Sequence, residues 1–355
     1  MTNSWQNLYI QDAGLLPHLV DLPTDQILLS RLTEEDYRKA SFLDQRIVTP
    51  QLRRQFVPWS EVSQLSVAKA DPPQYIFHTG HVGSTLLSRL LGEIDTVLAL
   101  REPQLLRTLC EISQIRDEPE SPWSPDVYKY RFSEVIRWLS RTFHADQRVM
   151  VKASSFVSEL APQLLTGSTD AMILYAPLDR YIPTILAGEA SVQETHAMAG
   201  ARLKRLTRHL GNPPARLWEL SLAQRVAMSW ICELVTIFAA HKASSSANIM
   251  WMNFESFLQN PTENLVKAAR HFGHKLSDNK ADELVSGPIM ATYSKAPEHD
   301  YSPNLRKELL EQANRNHAAD ILAALRWADT IAAEFPLVTQ AMQWIDETEN
   351  NVQTA

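Results

Sequence analysis

The sequence predicts an α/β protein built on an open parallel sheet of about five strands, flanked by helices. Two observations carry this. Five short β-rich runs, at residues 74–78, 96–100, 148–152, 171–175 and 247–253, are separated by stretches with helical periodicity. Strands that alternate with helices make parallel sheets covered on both faces. The first run also passes through a glycine-framed turn straight into an apolar helix, in "YIFHTGHVGSTLLSRLL" (residues 75–91).

The elements follow in order. Residues 1–72 read as an N-terminal extension to a main domain over 73–355. In the extension, Thr33 followed by Asp36 marks a helix start. "ADPPQ" (residues 70–74) then punctuates the chain before the first strong strand. Leu86, Leu87, Leu90 and Leu91 form one apolar stripe, and Val226, Trp230, Val235 and Phe238 a second. "NPTE" (residues 260–263) offers an N-cap, a Pro at the first helical position and a capping Glu. Gly273 stops that helix. The last 55 residues read as a helical tail, with one segment from Ser302-Pro303 and another over Ile321–Phe335.

Bulk properties narrow the function. A chain of 355 residues with 45% hydrophobic and 21% charged residues matches ordinary globular composition. A net charge of −7 argues against nucleic acid as a partner, because phosphate backbones need a basic surface. The two cysteines, Cys110 and Cys232, imply neither a disulfide framework nor a metal site, and no metal is expected. The N-terminus lacks a basic segment followed by an apolar core, and the apolar segment Val226–Ala240 is too short to span a bilayer. A cytoplasmic protein without a membrane span is therefore expected, of open oligomeric state.

The opening loop is built for an anion. Ligands of open parallel sheets bind beyond the carboxyl ends of the strands, where this turn sits. Gly80 and Gly83 can take backbone angles closed to other residues, which would let successive amides point inward. The helix start at Ser84 and Thr85 adds free N–H groups, hydroxyls and the positive end of the helix dipole. The Walker pattern G-x-x-x-x-G-K-[ST] fails twice, because residue 78 is His rather than Gly and residue 84 is Ser rather than Lys.

The loop resembles that of the sulfotransferases, whose strand–loop–helix reads roughly G-[RK]-S-G-[ST]-[ST]-x-L-x-x-L. The match runs Gly80-His81-Val82-Gly83-Ser84-Thr85-Leu86-Leu87, with His81 at the basic position. Four later segments align in order: "LALREPQLLR" (98–107), "VMVKASSFVSELAPQLL" (149–165), "AMILYAPLDRYIPTILAGE" (171–189) and "WMNFESFLQNPTENLVKAARHFG" (251–273). The resemblance spans residues 75–273 and implies a P-loop-type fold. It also implies 3'-phosphoadenosine 5'-phosphosulfate (PAPS) as co-substrate and transfer of its sulfuryl group to a hydroxyl or amine of a small-molecule acceptor.

It implies roles too. Gly80, His81, Val82, Gly83, Ser84 and Thr85 would cradle the phosphosulfate. Glu102 would be the base, with a helix-stabilising carboxylate paired to Arg101 as the plain alternative. Lys152, at the end of an apolar strand, would neutralise developing charge, the alternative being a solvent-facing Lys. His81 would contact the anion or be an exposed loop residue. The family's 3'-phosphate Arg aligns with Pro177, so Arg180 and Thr184, one turn apart, are its nearest substitutes. Lys295 resembles a basic loop that closes over the nucleotide. "ARLKRLTRH" (residues 201–209) reads as a solvated charge run, with a lid as the alternative. Aromatics Trp123 to Trp138 would form core or line an acceptor pocket. Two other function classes stay open: a P-loop phosphotransferase using a nucleoside triphosphate, and a non-catalytic nucleotide-binding scaffold.

Overall fold

The computed structural model describes residues 4–66, 70–292 and 303–353. Three strands precede the main sheet: β1 (Leu15–Asp21), β2 (Gln26–Arg31) and β3 (Arg54–Pro58). They form an antiparallel sheet in the order β1-β2-β3. The five runs read from the sequence form β4 (Gln74–His78), β5 (Val97–Arg101), β6 (Arg148–Lys152), β7 (Asp170–Tyr175) and β8 (Asn248–Asn253). All pairings in this sheet are parallel, in the order β5-β6-β4-β7-β8. β4 is thus central, and every residue of β4 and β5 is buried. That double coverage is why these strands read as continuous apolar runs.

Local signals account for several helices. Thr33 and Asp36 form a reciprocal capping box, with Asp36 N donating to Thr33 Oγ1 at 3.2 Å and Thr33 N to Asp36 Oδ2 at 2.8 Å. Pro261 opens its helix as expected, but the Asn260 side chain makes no cap bond. Gly273 ends that helix at φ +77°, and His274 N closes back on Ala269 O at 2.9 Å.

The Leu222–Ala243 helix was expected to bear a single stripe, yet it is buried nearly all round. Its 22 residues are long and apolar enough to cross a membrane, longer than the apolar stretch alone indicated, but 78% of its most apolar window is buried inside the protein. Such a helix reads as the spine of a core. The helices Ala318–Glu334 and Pro336–Gln353 pack on it.

Residues 4–66 are joined to the main sheet through Arg101. This side chain is 1% exposed. It donates to the carbonyls of Ala40 at 2.6 Å, Arg38 at 2.9 Å and Ser88 at 3.4 Å, and also to that of Tyr37. Trp123 and Trp138 pack on Trp59 of the same segment, with ring centroids 5.6 and 4.8 Å apart. These two aromatics are therefore core, while Tyr130 is exposed.

One buried histidine ties the start of β4 to its surroundings. His274 lies between Thr96 Oγ1 at 2.8 Å and Gln74 Oε1 at 2.9 Å. Burial, with Arg148 nearby, pushes its pKa down to about 4. The unfolded chain binds this proton below about 6.5 and the folded one only below about 4, so the contribution is intact above 6.5 and lost as pH falls to 4. Denaturant titrations are expected to show up to about 3 kcal/mol lost from this group across that window. His274→Gln should flatten the slope, and an unchanged slope would assign the loss elsewhere.

Candidate functional site

The site is assembled at the carboxyl end of β4. His78, the last residue of the strand, bridges its surroundings: Nε2 lies 2.9 Å from the carbonyl of Ala153, and Nδ1 accepts from Gly80 N at 3.0 Å. A neutral ring with its proton on Nε2 satisfies both contacts. The first loop amide is therefore tied to the end of β6.

Beyond it the backbone turns sharply. Gly80, His81 and Gly83 have φ of +93°, +52° and +69°. A Cβ on Gly83 would lie 2.0 Å from the Phe254 ring, so this position excludes any side chain. A Cβ on Gly80 would come within 3.3 Å of Tyr181 Oη. The loop is held between Tyr181 on one side and Phe254 on the other.

The helix then starts at Ser84, with Leu87 N bonding Gly83 O at 3.0 Å. Its first turn leaves the amides of Gly83, Ser84 and Thr85 without intrahelical acceptors. Ser84 and Thr85 are 4% and 3% exposed. The hydroxyls of Thr85 and of Thr79, which flank the loop, are buried and have no hydrogen-bond partner. Buried hydroxyls normally have one. Orphaned donors around a positive helix end fit an oxyanion such as phosphate or sulfate.

The structure brings Glu102 and Lys152 together. Lys152 is 1% exposed and its Nζ is paired with Glu102 Oε1. The solvent-facing alternative for Lys152 is thereby excluded. Glu102 does not pair with Arg101, whose guanidinium is directed at backbone carbonyls. Its Oε2 instead faces Arg46 Nη2 at 3.7 Å. Arg46 stacks on Phe42 at 3.3 Å from the ring centroid and pairs with Asp44. Burial raises the Asp44 carboxyl's pKa, but hydrogen bonds from Arg46 more than offset this and hold it below its ordinary value.

Glu102 has φ +53°, and among the described residues only Asp25, His81 and Glu102 combine a side chain with positive φ. Such backbone costs about 1–3 kcal/mol per residue and collects at functional positions. A polar cleft opens beside Glu102, lined by Asp44, Arg46, Gln104, Arg107 and Ser154.

Other expected residues are placed differently. Arg180 lies on the outer face of its helix, 55% exposed, with its nearest carboxylate, Asp179, at 3.9 Å. Thr184 donates its hydroxyl to Arg180 O at 2.7 Å. Tyr181 is the member of this helix that meets the loop. Lys295 lies outside the described residues.

His81 is directed at the Glu189–Leu210 helix, with Nε2 3.2 Å from Glu194 Oε2 and Nδ1 3.3 Å from Ser191 Oγ. That helix corrects the reading of "ARLKRLTRH". Arg202 and Arg205 are 4% and 2% exposed, so they are not solvated. Both pair with Glu233, which is fully buried: Arg202 Nε at 3.2 Å and Arg205 Nη2 at 2.5 Å from Oε1. Of the run's basic residues, Lys204 and Arg208 are exposed and His209 is half-buried.

No family model matches the chain, and no curated protein matches it. Several solved structures do. The sulfotransferase domain from the curacin biosynthetic pathway shares 12% identity over 69% of this chain and 91% of its own, with TM-score 0.40. Sulfotransferase STF1 from Mycobacterium tuberculosis shares 16% over 71% and 79%, with TM-score 0.37. Mouse sulfotransferase SULT7A1, solved with PAP, shares 10% over 78% and 90%, with TM-score 0.36. At these identities and scores the likeness carries no statement about what this chain binds or does.

Proposed function

We propose that this chain is a sulfotransferase that moves the sulfuryl group of PAPS to a hydroxyl or amine of a small acceptor. The observation that carries the reading is the strained, glycine-framed loop at the end of β4, with the orphaned hydroxyls of Thr79 and Thr85 beside it. Glu102, the expected base, is strained as well.

In this reading the amides of Gly83, Ser84 and Thr85 hold the 5'-phosphosulfate. The acceptor oxygen or nitrogen attacks sulfur, the bond from sulfur to the bridging phosphate oxygen breaks, and the electron pair leaves with adenosine 3',5'-bisphosphate. The acceptor's proton passes to Glu102. Lys152 holds Oε1, and Oε2, with Arg46 at 3.7 Å in the lining of the same cleft, takes that proton. Positioning and charge stabilisation supply most of the acceleration, by analogy with phosphoryl transfer.

Thermal unfolding with adenosine 3',5'-bisphosphate, or with ATP and magnesium, tests the donor class. At a hundred times its dissociation constant, the bisphosphate should stabilise the fold by about 2.7 kcal/mol. A rise with Mg-ATP alone would sink the reading in favour of a phosphotransferase, and a rise with neither would favour a scaffold. Glu102→Gln should keep the bisphosphate shift but lose roughly 10²–10⁴-fold in bisphosphate release from PAPS with a panel of phenols, alcohols and amines. Release at the wild-type rate would remove Glu102 as base.

A further inference from the structure

The loop carries no lysine, yet a fixed cation stands beside it on another element. Arg202 Nη2 lies 3.4 Å from Ser155 Oγ. That oxygen is in turn 3.8 Å from where a Cβ on Gly80 would sit. From behind, the guanidinium is anchored by the buried Glu233. From the front, Nη2 donates to Glu194 Oε1 at 3.1 Å. The second oxygen of Glu194 meets His81 Nε2 at 3.2 Å. One carboxylate therefore sits between the loop's basic side chain and a buried guanidinium. It presents two oxygens to the donors that a bound oxyanion would use.

The two acids on Arg202 differ in a way that decides which can leave. Glu233 is wholly buried, whereas the Glu194 side chain is 44% exposed. Moving Glu233 would strand two buried cations, which is strongly unfavourable. Glu194 can swing into water with little desolvation to recover, and a half-exposed ion pair is weak.

We infer that Arg202 is the fixed cation of the anion site, and that Glu194 holds its place there until an anionic ligand displaces it. Arg202 and Arg205 are balanced by Glu233 and Glu194; once Glu194 departs, one positive charge faces the loop. The missing lysine is thus replaced from across the site rather than from within the loop. The inference rests on the reading that this loop holds an anion and is independent of which donor it is.

Isothermal titration of the full chain with adenosine 3',5'-bisphosphate, and separately with inorganic pyrophosphate, tests it. Glu194→Gln should bind roughly tenfold tighter, because a competing charge is removed without loss of shape. Arg202→Lys, which retains charge for Glu233, should bind roughly tenfold weaker for want of the planar fork. Because Glu194 is partly exposed, its variant keeps the test decisive even if substitutions at 202 misfold. Unchanged or weaker binding by Glu194→Gln overturns the inference while leaving the donor reading intact. Pyrophosphate binding that tightens in Glu194→Gln, with no bisphosphate binding, upholds the inference and removes the donor reading. Failure of both anions to bind either protein overturns it.

Discussion

Glu233→Ala is expected to destabilise the protein by about 3–5 kcal/mol, because it leaves Arg202 and Arg205 buried without their shared counter-charge. Few single changes on this molecule should cost more. Arg205 retains Cys232 Sγ at 3.1 Å and Phe156 O at 3.2 Å as acceptors, but neither is a charge. Urea unfolding followed by circular dichroism measures the loss. Replacing all three residues together by Leu and Met should recover most of it, since well-packed apolar substitutes for a buried ion cluster are often neutral or stabilising. A loss below about 1 kcal/mol in the single variant would mean that water reaches the cluster and screens it.

The second large effect is at Gly83. Alanine there meets the Phe254 ring at 2.0–2.6 Å and must also hold φ at +69°. Phe254 is 7% exposed and has little room to retreat. Overpacking of this kind costs about 1–3 kcal/mol, and the left-handed backbone adds to it. Anion binding should fall with stability, because relief of the clash moves the amides at the helix start. Phe254→Leu in the Gly83→Ala background separates the two terms. Partial recovery of stability and binding identifies the ring as the obstacle, whereas no recovery assigns the cost to the backbone angle alone.

Some of this architecture is legible in the sequence, and the reasons differ by element. β4, β6 and β7 are covered on both faces, so burial leaves an uninterrupted apolar run that marks their bounds. β1 gives no such signal: Pro17, His18 and Asp21 interrupt it, and its register shifts between Pro17 and Leu19. β3 has a single buried residue, Val57, so nothing in its composition announces a strand.

The candidate site divides the same way. The loop from Gly80 to Thr85 is readable because its parts are neighbours in the chain. Lys152 and Glu102 are readable as strand ends, but their ion pair depends on β5 lying beside β6. Arg46 and Phe42 were beyond sequence reasoning, because nothing local ties them to Glu102. Arg202 was hidden in a charge run whose partner is 31 residues away. One signal was present: Glu233 stands in an otherwise apolar stretch. A buried acid in such a helix calls for a counter-charge, and the basic run at 201–209 supplies it.

The contacts of Arg101 set a timetable for synthesis. The carbonyls of residues 37–40 that it binds are made about sixty residues before it. At 5–20 residues per second, that segment waits roughly 3–12 s for its partner. During this interval β1, β2 and β3 can pair with each other, but the Glu102 wall of the cleft does not yet exist. Residues 42–46 are then committed to that wall only when β5 and β6 join the sheet. The cleft beside Glu102 can therefore close once β6 is made, whereas the glycine-framed loop waits longer still, for Tyr181 and Phe254.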